Sequence, residues 1–498
     1  MRIKIDCLPE PEVRFGNGVT GWEPKAALAK AGPLFAGAET ETIRLGLVAL
    51  PGEVESVRDW FARMEGLIVS SETNARRFRE FPGARRVFNC AYELPDRFLR
   101  WIDPDTYRLH AALPVRERFE RLLDLFASRV EALFGDVQPD CVLVCLPEEL
   151  AELRISNPRL SWQERAVLER LQREEEDEQL ALFAPSPEEL KLAAELRPQA
   201  EELLFRNFYR ALKARCMTHP NPVPIQVLRR HTYISSEALQ SDATRAWNLS
   251  VSLYYKSGHI PWTPQDLTPD SCFVGISFHH LKRRSGDLIY ASLAQAFSNE
   301  VEPFALQGGS VPQSQTRNRQ PYLTEEQGAE LAHRVIMAYE ARAGSRPSRV
   351  IVHKTSRYQP EEEAGFRESL LAEVAGCELV WFAPTGFRLL RRGMQEPWRG
   401  TLCTVGDDQH YLFTTGFVAG WDEYPGPHIP APLQVGAAGE TDIRERAREI
   451  LALTKMNWNN AEGMGRHPIT ISFARKVGTI MTEMPDDAVP NPLYRFYM

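Results

Sequence analysis

What most constrains this chain is the way two kinds of segment alternate along it. ETIRLGLVAL (41–50) is an apolar, β-branched run of strand length. VESVRDWFARMEGLI (54–68) follows it with apolar residues at three- and four-residue intervals, the spacing of an amphipathic helix. RERFERLLDLFASRVEALF (116–134) and PDCVLVCLP (139–147) repeat the pair with the helix first. Strands separated by helices cannot be joined by tight turns, so they pair in parallel and carry the helices on their faces. The chain therefore reads as a layered α/β protein with a mostly parallel sheet.

A second α/β region begins near Cys272. Strand CFVGISF (272–278) precedes DLIYASLAQAF (287–297), which reads as helical. RVIVHKTS (349–356) follows a helix around Arg334–Arg342, and ELVWFAP (378–384) continues the alternation. TLCTVGDDQHYLFTTG (401–416) reads as a hairpin with Asp407 and Asp408 as its turn residues. Prolines and polar residues in IPWTPQDLTPD (260–270) mark the boundary between the two regions. Residues 160–205, rich in Glu, Gln, Leu and Arg, read as helices joined by the loop FAPSP, with REEEDEQ as a solvated face.

Composition enters through charge. The formal net charge is -8, which at first disfavours nucleic acid. Leu171–Glu202 alone holds ten acidic and three basic residues, a net of -7. The remainder is nearly neutral and carries basic pairs at Arg283/Arg284, Arg391/Arg392 and Arg475/Lys476. Phosphate contacts act within a Debye length of roughly 10 Å, so the total does not exclude them. No apolar run reaches membrane-span length, and MRIKIDCLPEPEVRF is too charged and proline-rich for a signal peptide. Cys141 and Cys145 read as buried thiols of a reducing compartment, which makes a cytoplasmic location the expectation.

Two decoys can be set aside. Gly16, Gly18 and Gly21 have dinucleotide-motif spacing, yet LPEPEVRF before them is no buried strand and Pro24 follows, so this is a loop. Adjacent His279 and His280 on a strand point to opposite faces and cannot share a metal.

One constellation carries chemistry. Tyr209 and Lys213 lie four apart in the helix-favouring FYRALKARCM and share a face. Gln226 follows in PVPIQVLRRHTY. In WNLSVSLYYKSGHIPW, Lys256 stands at the end of what reads as a β-rich segment, just before a glycine turn. Two ammonium groups and an amide suit a terminal phosphate, and a tyrosine ring can stack on a base.

The order Tyr-x3-Lys, Gln, then Lys before Gly and Pro-Trp resembles the MID domain of Argonautes. FVGISF, VIVHKTSRY, EPWRGT, HYLFTTG and LTKMNWNNAEGMGRHPITISFARKVGTIM resemble successive landmarks of a PIWI domain. The resemblance implies a short prokaryotic Argonaute: a linker segment over 1–40, a Rossmann-like MID domain over 41–260 and an RNase H-like PIWI domain over 261–498. There is no room for the N and PAZ domains of long Argonautes. It implies that Tyr209 stacks on the first base of a guide while Lys213, Gln226 and Lys256 hold its 5′ phosphate. The Met498 carboxylate, closing PLYRFYM, would join them through Mg²⁺, since phosphate and carboxylate need a hard cation between them.

Active PIWI domains hold two metals with carboxylates. Here Ser277 and Thr355 occupy two of the expected acidic positions, and the last falls near Arg475. The resemblance thus implies a guide-loaded sensor that pairs with a target without cutting it. By analogy the guide is RNA and the target single-stranded DNA. A partner with an APAZ region and a TIR, sirtuin-like or nuclease domain would act in defence against plasmids and phage. The alternatives are an active nuclease with a rearranged acidic site, and a scaffold that never loads a guide.

Overall fold

The computed structural model describes the chain outside residues 157–204 and shorter stretches at 236–239, 283–287, 298–301, 313–314, 318–319, 394–395, 427–428, 486–487 and positions 1, 36 and 490. The acidic segment expected to be helical over 160–205 lies almost entirely outside the described residues.

The first sheet is built from β2 (Glu41–Ala49), β3 (Cys90–Glu93), β4 (Leu99–Trp101), β5 (Cys141–Cys145) and β6 (Ile225–Leu228), β1 being the N-terminal strand Ile3–Cys7. Its order is β6-β5-β2-β3, with β4 also pairing β2, and every pairing is parallel. The amphipathic periodicity appears directly in burial. Val54, Val57, Trp60, Phe61 and Met64 form the inner stripe of α1 (Val54–Met64). Phe119, Leu122, Leu123, Phe126 and Val130 do the same in α2 (Val115–Glu131). Cys141 and Cys145 are both buried on β5. This half also contains α3 (Phe208–Met217) and α4 (Asp242–Lys256).

The second sheet has nine strands. It comprises β7 (Ser271–Lys282), β8 (Leu288–Phe297), β9 (Phe304–Pro312), β10 (Arg349–Lys354), β11 (Gly376–Ala383), β12 (Thr401–Val405), β13 (Gln409–Leu412), β14 (Leu433–Ala438) and β1, in the order β1-β12-β13-β14-β11-β10-β7-β8-β9. Strands β7, β10 and β11 are parallel, and antiparallel strands extend the sheet on both sides. Helices α5 (Glu325–Ala343), α6 (Pro360–Leu371), α7 (Ile443–Leu453) and α8 (Ile469–Met481) accompany it. Residues 1–40, read as a linker, thus contribute an edge strand to this sheet, pairing Ile3 with Val405 through Cys7 with Thr401.

Two local expectations are corrected. DLIYASLAQAF is not a helix: Leu288–Phe297 pairs antiparallel with β7 from Phe273↔Phe297 to Lys282↔Leu288. Its Ala and Leu content favours helix, but a ten-pair ladder outweighs propensities worth a few tenths of a kcal/mol per residue. WNLSVSLYYK is not β-rich: it belongs to α4, capped by Ser241, whose hydroxyl accepts from the Thr244 amide at 3.3 Å. Within this helix, which is buried on nearly every side, LSVSL alternates apolar and polar residues and so reads locally as a strand. The glycine-rich FGNGVTGW forms a short hairpin between Val13–Arg14 and Thr20–Gly21, with Asn17 and Gly18 at positive φ, as its loop reading requires. Asp407 and Asp408 lie in the β12–β13 turn, as expected.

Candidate functional site

Helix α3 begins at Asn207, whose side chain accepts from the Arg210 amide at 3.2 Å. This start sets Tyr209 and Lys213 one turn apart on one face, with the Lys213 ammonium 4.7 Å from the centre of the Tyr209 ring. Strand β6 brings Gln226 alongside, and the last turn of α4 brings Lys256. The Lys256 ammonium donates to the Ile225 carbonyl at 3.0 Å and to the Gln226 side-chain oxygen. Ser252, one turn earlier, donates to that same oxygen at 3.2 Å. The four residues of the predicted constellation are therefore together in space.

A fifth joins them that the sequence reading placed only in a basic pair. Lys476, from the middle of α8, acts electrostatically on Tyr209, Lys213 and Lys256. Burial pushes Lys213 down to about 7. Lys256 lies well below the ordinary lysine value through burial and then the charge of Lys213. Burial brings Lys476 down to about 8, with Tyr209 opposing the drop and the charge of Lys213 adding to it. Among the described residues, no carboxylate pairs with these cations. The contrast with other buried lysines is direct: Lys354 pairs with Glu362 at 2.6 Å, and Lys455 pairs with Glu10 at 2.7 Å. Lys213 is buried, and its ammonium has no hydrogen-bond partner among the described residues. An unpaired ammonium in such a place costs several kcal/mol unless it loses its proton or meets an anion.

Two adjoining cavities open where β6 ends, the usual ligand position in a parallel α/β sheet. One, of about 280 Å³, is walled by Tyr209, Val227, Arg229 and His231. The other, of about 340 Å³, is walled by Gln226, Arg245, Asn248, Ser252 and Asn459. His231 and Thr232 border both. Arg229 is held by Glu148 and Glu152 at 3.2 and 2.6 Å, and Arg245 donates to the carbonyls of His231 and Thr232. Met498 is buried after the turn Tyr494–Phe496, which packs on α4. No described hydrogen bond or ion pair joins Met498 to the lysines.

The second predicted set lies on the nine-stranded sheet. The parallel register of β7 and β10 runs from Ser271↔Arg349 to Ile276↔Lys354, so the next step sets Ser277 beside Thr355. Ser277 is buried and Thr355 half-buried. Two residues back, Gly275 lies under α8 so closely that a Cβ would fall 2.3 Å from the Thr470 carbonyl oxygen. His353 meets the Thr470 hydroxyl at 3.0 Å, and burial followed by the charge of Arg349 pushes the imidazole down to about 3. Arg475 is exposed further along α8, where after burial it is the next cause of the low pKa of His467, about 3. The nearby buried carboxylate Glu362 is fully engaged: besides Lys354 it accepts the amides of Leu323 and Gln359 at 2.9 and 2.8 Å. Past the end of α8, Glu483 accepts the Asn207 amide at 2.9 Å and pairs with Arg206 at 3.0 Å, tying this helix to the start of α3.

No family model matches the sequence, and no curated protein matches it. Solved structures do match. Clostridium butyricum Argonaute bound to a guide DNA (5′ deoxycytidine) and a 19-mer target DNA superposes with a TM-score of 0.59 over 99% of this chain. The fold is Argonaute-like. The identity to that protein is 15%, and 54% of its own length is covered. Drosophila Piwi gives a TM-score of 0.59 at 13% identity, covering 99% of this chain and 56% of that one. Aquifex aeolicus Argonaute gives 0.54 at 13%, with 99% and 56% covered. The chain thus spans little more than half the length of these Argonaute structures. In this frame the all-parallel sheet is the Rossmann-like MID core, and the nine-stranded sheet is the RNase H-like PIWI core. No helix among the described residues is long and apolar enough to cross a membrane.

Proposed function

We propose that this chain grips the 5′ phosphate of a guide strand and presents the guide to a target that it leaves uncut. The observation that carries the reading is the clustering of Lys213, Lys256 and Lys476, with Lys256 held by Gln226 and, among the described residues, no carboxylate paired with any of the three. A terminal phosphate supplies the missing charge, and each charge-assisted contact is worth about 1.5–3 kcal/mol. Tyr209, against the smaller cavity, offers a ring on which a first base can stack. One of the similar structures is an Argonaute bound to guide DNA and target DNA. For this chain we propose an RNA guide and a single-stranded DNA target, on the resemblance set out above.

The uncut outcome rests on chemistry. Neutral hydroxyls at Ser277 and Thr355 cannot offset the charge of two divalent ions, and Glu362 is committed to Lys354 and two backbone amides. Mg²⁺ is proposed only as a bridge between guide phosphate and the Met498 carboxylate. The side chains here do not fit it, being three cations, an amide and a phenol. A recognised but intact target has an effect only through a partner, which we propose to be an APAZ-containing effector with TIR, sirtuin-like or nuclease activity, acting in defence against plasmids and phage. The test compares 5′-phosphorylated and 5′-hydroxyl oligonucleotides of one sequence. The phosphorylated strand should bind at least tenfold more tightly, and equal affinity would overturn the reading.

A further inference from the structure

Ser277 and Thr355 lie where the parallel strands of the nine-stranded sheet end, and other segments emerge at that same end. Strands β7, β10 and β11 run in one direction, β14 runs against β11, and β13 and β12 reverse in turn. The chain therefore leaves β10, β11 and β13, and enters β12, at one end of the sheet, the side on which open α/β sheets take ligands. Residues 384–400, joining β11 to β12, and residues 413–417, after β13, lie along it. Trp398 is 44% exposed there, whereas Trp60, Trp247, Trp262, Trp421 and Trp458 are fully buried.

Trp398 is exposed yet held in place. Its carbonyl accepts the Thr401 amide at 3.1 Å, the Arg399 amide donates to the Phe417 carbonyl at 3.1 Å, and the Phe417 amide donates to the Pro397 carbonyl at 2.9 Å. Gly416 permits this close approach, since a Cβ there would fall 2.4 Å from the Pro397 carbonyl oxygen. The Arg391 guanidinium lies against both rings, 5.3 Å from the centre of Trp398 and 4.9 Å from that of Phe417. Its Nε donates to the Glu396 carbonyl at 3.2 Å, and its Nη2 has no hydrogen-bond partner among the described residues. A cation against an indole braces the ring through its π system.

Charge supplies the second observation. Arg357, Arg388 and Arg392 are exposed at the same end of the strands. Arg357 stacks on Trp381 at 4.7 Å, and Arg388 donates to the carbonyls of Thr385 and Phe387. Among the described residues no carboxylate pairs with these three or with Arg391, whereas the buried Arg399 is held by Glu10 at 3.0 Å. A fixed, exposed indole among unneutralised guanidiniums offers what a single strand of nucleic acid requires, a π face for a base and cations for its backbone. We infer that Trp398, braced by Arg391, is a stacking platform for one base of the bound strand, with Arg357, Arg388 and Arg392 along its phosphates. Strand β12 lies four positions from β10 in the sheet, about 19 Å at roughly 4.8 Å per strand, so the platform meets a different stretch of strand from Ser277 and Thr355. The inference rests on the guide-binding reading above and adds a point of attachment independent of the 5′ phosphate.

The experiment uses the full chain and 5′-phosphorylated oligonucleotides in which 2-aminopurine, a fluorescent base quenched by stacking, replaces one base at a time. Away from the first base, one position or two neighbours should be quenched on binding and should recover their fluorescence in Trp398→Ala. The same variant should weaken binding of 5′-phosphorylated and 5′-hydroxyl strands by the same factor, at least about fivefold. Trp398→Phe, which keeps a ring, should retain part of both the quenching and the affinity. If Trp398→Ala melts below the parent, Trp398→Leu takes its place in the comparison, since it keeps apolar bulk against Arg391 without a ring. Quenching and affinity left unchanged by the ringless variant overturn the platform, and the lysine-cluster reading stands if the phosphorylated strand still binds more tightly. Equal affinity of the parent for both strands, with quenching that depends on Trp398, overturns the 5′-phosphate reading and supports the platform. Failure of the parent to bind either strand overturns both.

Discussion

Replacing Lys213 with Met separates the fold's interest from the site's. Lysine in water holds its proton up to 10.5, whereas burial brings Lys213 down to about 7. The unfolded chain therefore binds more protons than the folded chain between those values, and folding stability rises with pH across that window. At 1.36 kcal/mol per unit, this burial costs the free protein about 4 kcal/mol at pH 7.5. Methionine has similar volume and no charge, so it removes the cost while giving up the contact with the Tyr209 ring, worth about 0.5–2 kcal/mol. A net gain of about 2 kcal/mol corresponds to a rise of roughly 4–8 °C in the melting transition of a domain of this size. Thermal unfolding of the guide-free Lys213→Met variant should show that rise at pH 7.5, with the gain fading as pH approaches 10.5. The same variant should lose tenfold or more of its preference for a 5′-phosphorylated strand. A variant that melts lower than the parent, or keeps the phosphate preference, refutes the assignment of Lys213 as a cation waiting for an anion.

Preference for the 5′-phosphorylated strand should fall between pH 7 and pH 9 in a filter-binding series, because Lys213 and Lys476, near 7 and 8 when free, lose their protons over that range. Loaded with guide and given Mg²⁺ or Mn²⁺, the chain should leave a labelled complementary target intact on a denaturing gel; cleavage that disappears in Glu362→Gln would show that this carboxylate is released for metal binding. Lys354→Met, which leaves Glu362 buried and unpaired, should cost about 3–5 kcal/mol in denaturant unfolding. Gly275→Ala forces α8 away from β7 and should also destabilise the chain, with lost protection of the β7 amides in hydrogen exchange as its local signature.

The α/β class was legible because segments such as 41–50 and 54–68 each display the period of their own element. Legibility failed where a local pattern mimicked another element. In α4 nearly every face is covered and LSVSL alternates, so Lys256 was read at the end of a β-rich segment, whereas it closes a helix. Strand β8 was missed because its ladder partner lies earlier in the chain and leaves no local mark on DLIYASLAQAF. Tyr209, Lys213, Gln226 and Lys256 could be grouped because their chemistry in combination suits a phosphate and their order resembles the MID pattern. Lys476 sits more than two hundred residues further on, beside the more conspicuous Arg475, and only the packing of α8 against α3 brings it in. Nothing in RVIVHKTS announces that Lys354 and Glu362 neutralise each other, since their meeting depends on how α6 turns back over β10.

Helix α8 touches three separate places: Thr470 rests on Gly275 and His353, Lys476 reaches the lysine cluster, and Glu483, just past its end, caps α3. A straight helix rises about 1.5 Å per residue, so the six residues from Thr470 to Lys476 span about 9 Å. That length is set by backbone hydrogen bonds and does not depend on any loop. On the function proposed above, the helix would serve as a ruler between the end of a guide and the sheet region of Ser277 and Thr355, giving the count along that guide a fixed origin. One residue inserted between Thr470 and Lys476 would lengthen the ruler by about 1.5 Å and turn its far mark by about 100°. Such a change would move the register of pairing while leaving every other element of both sheets in place.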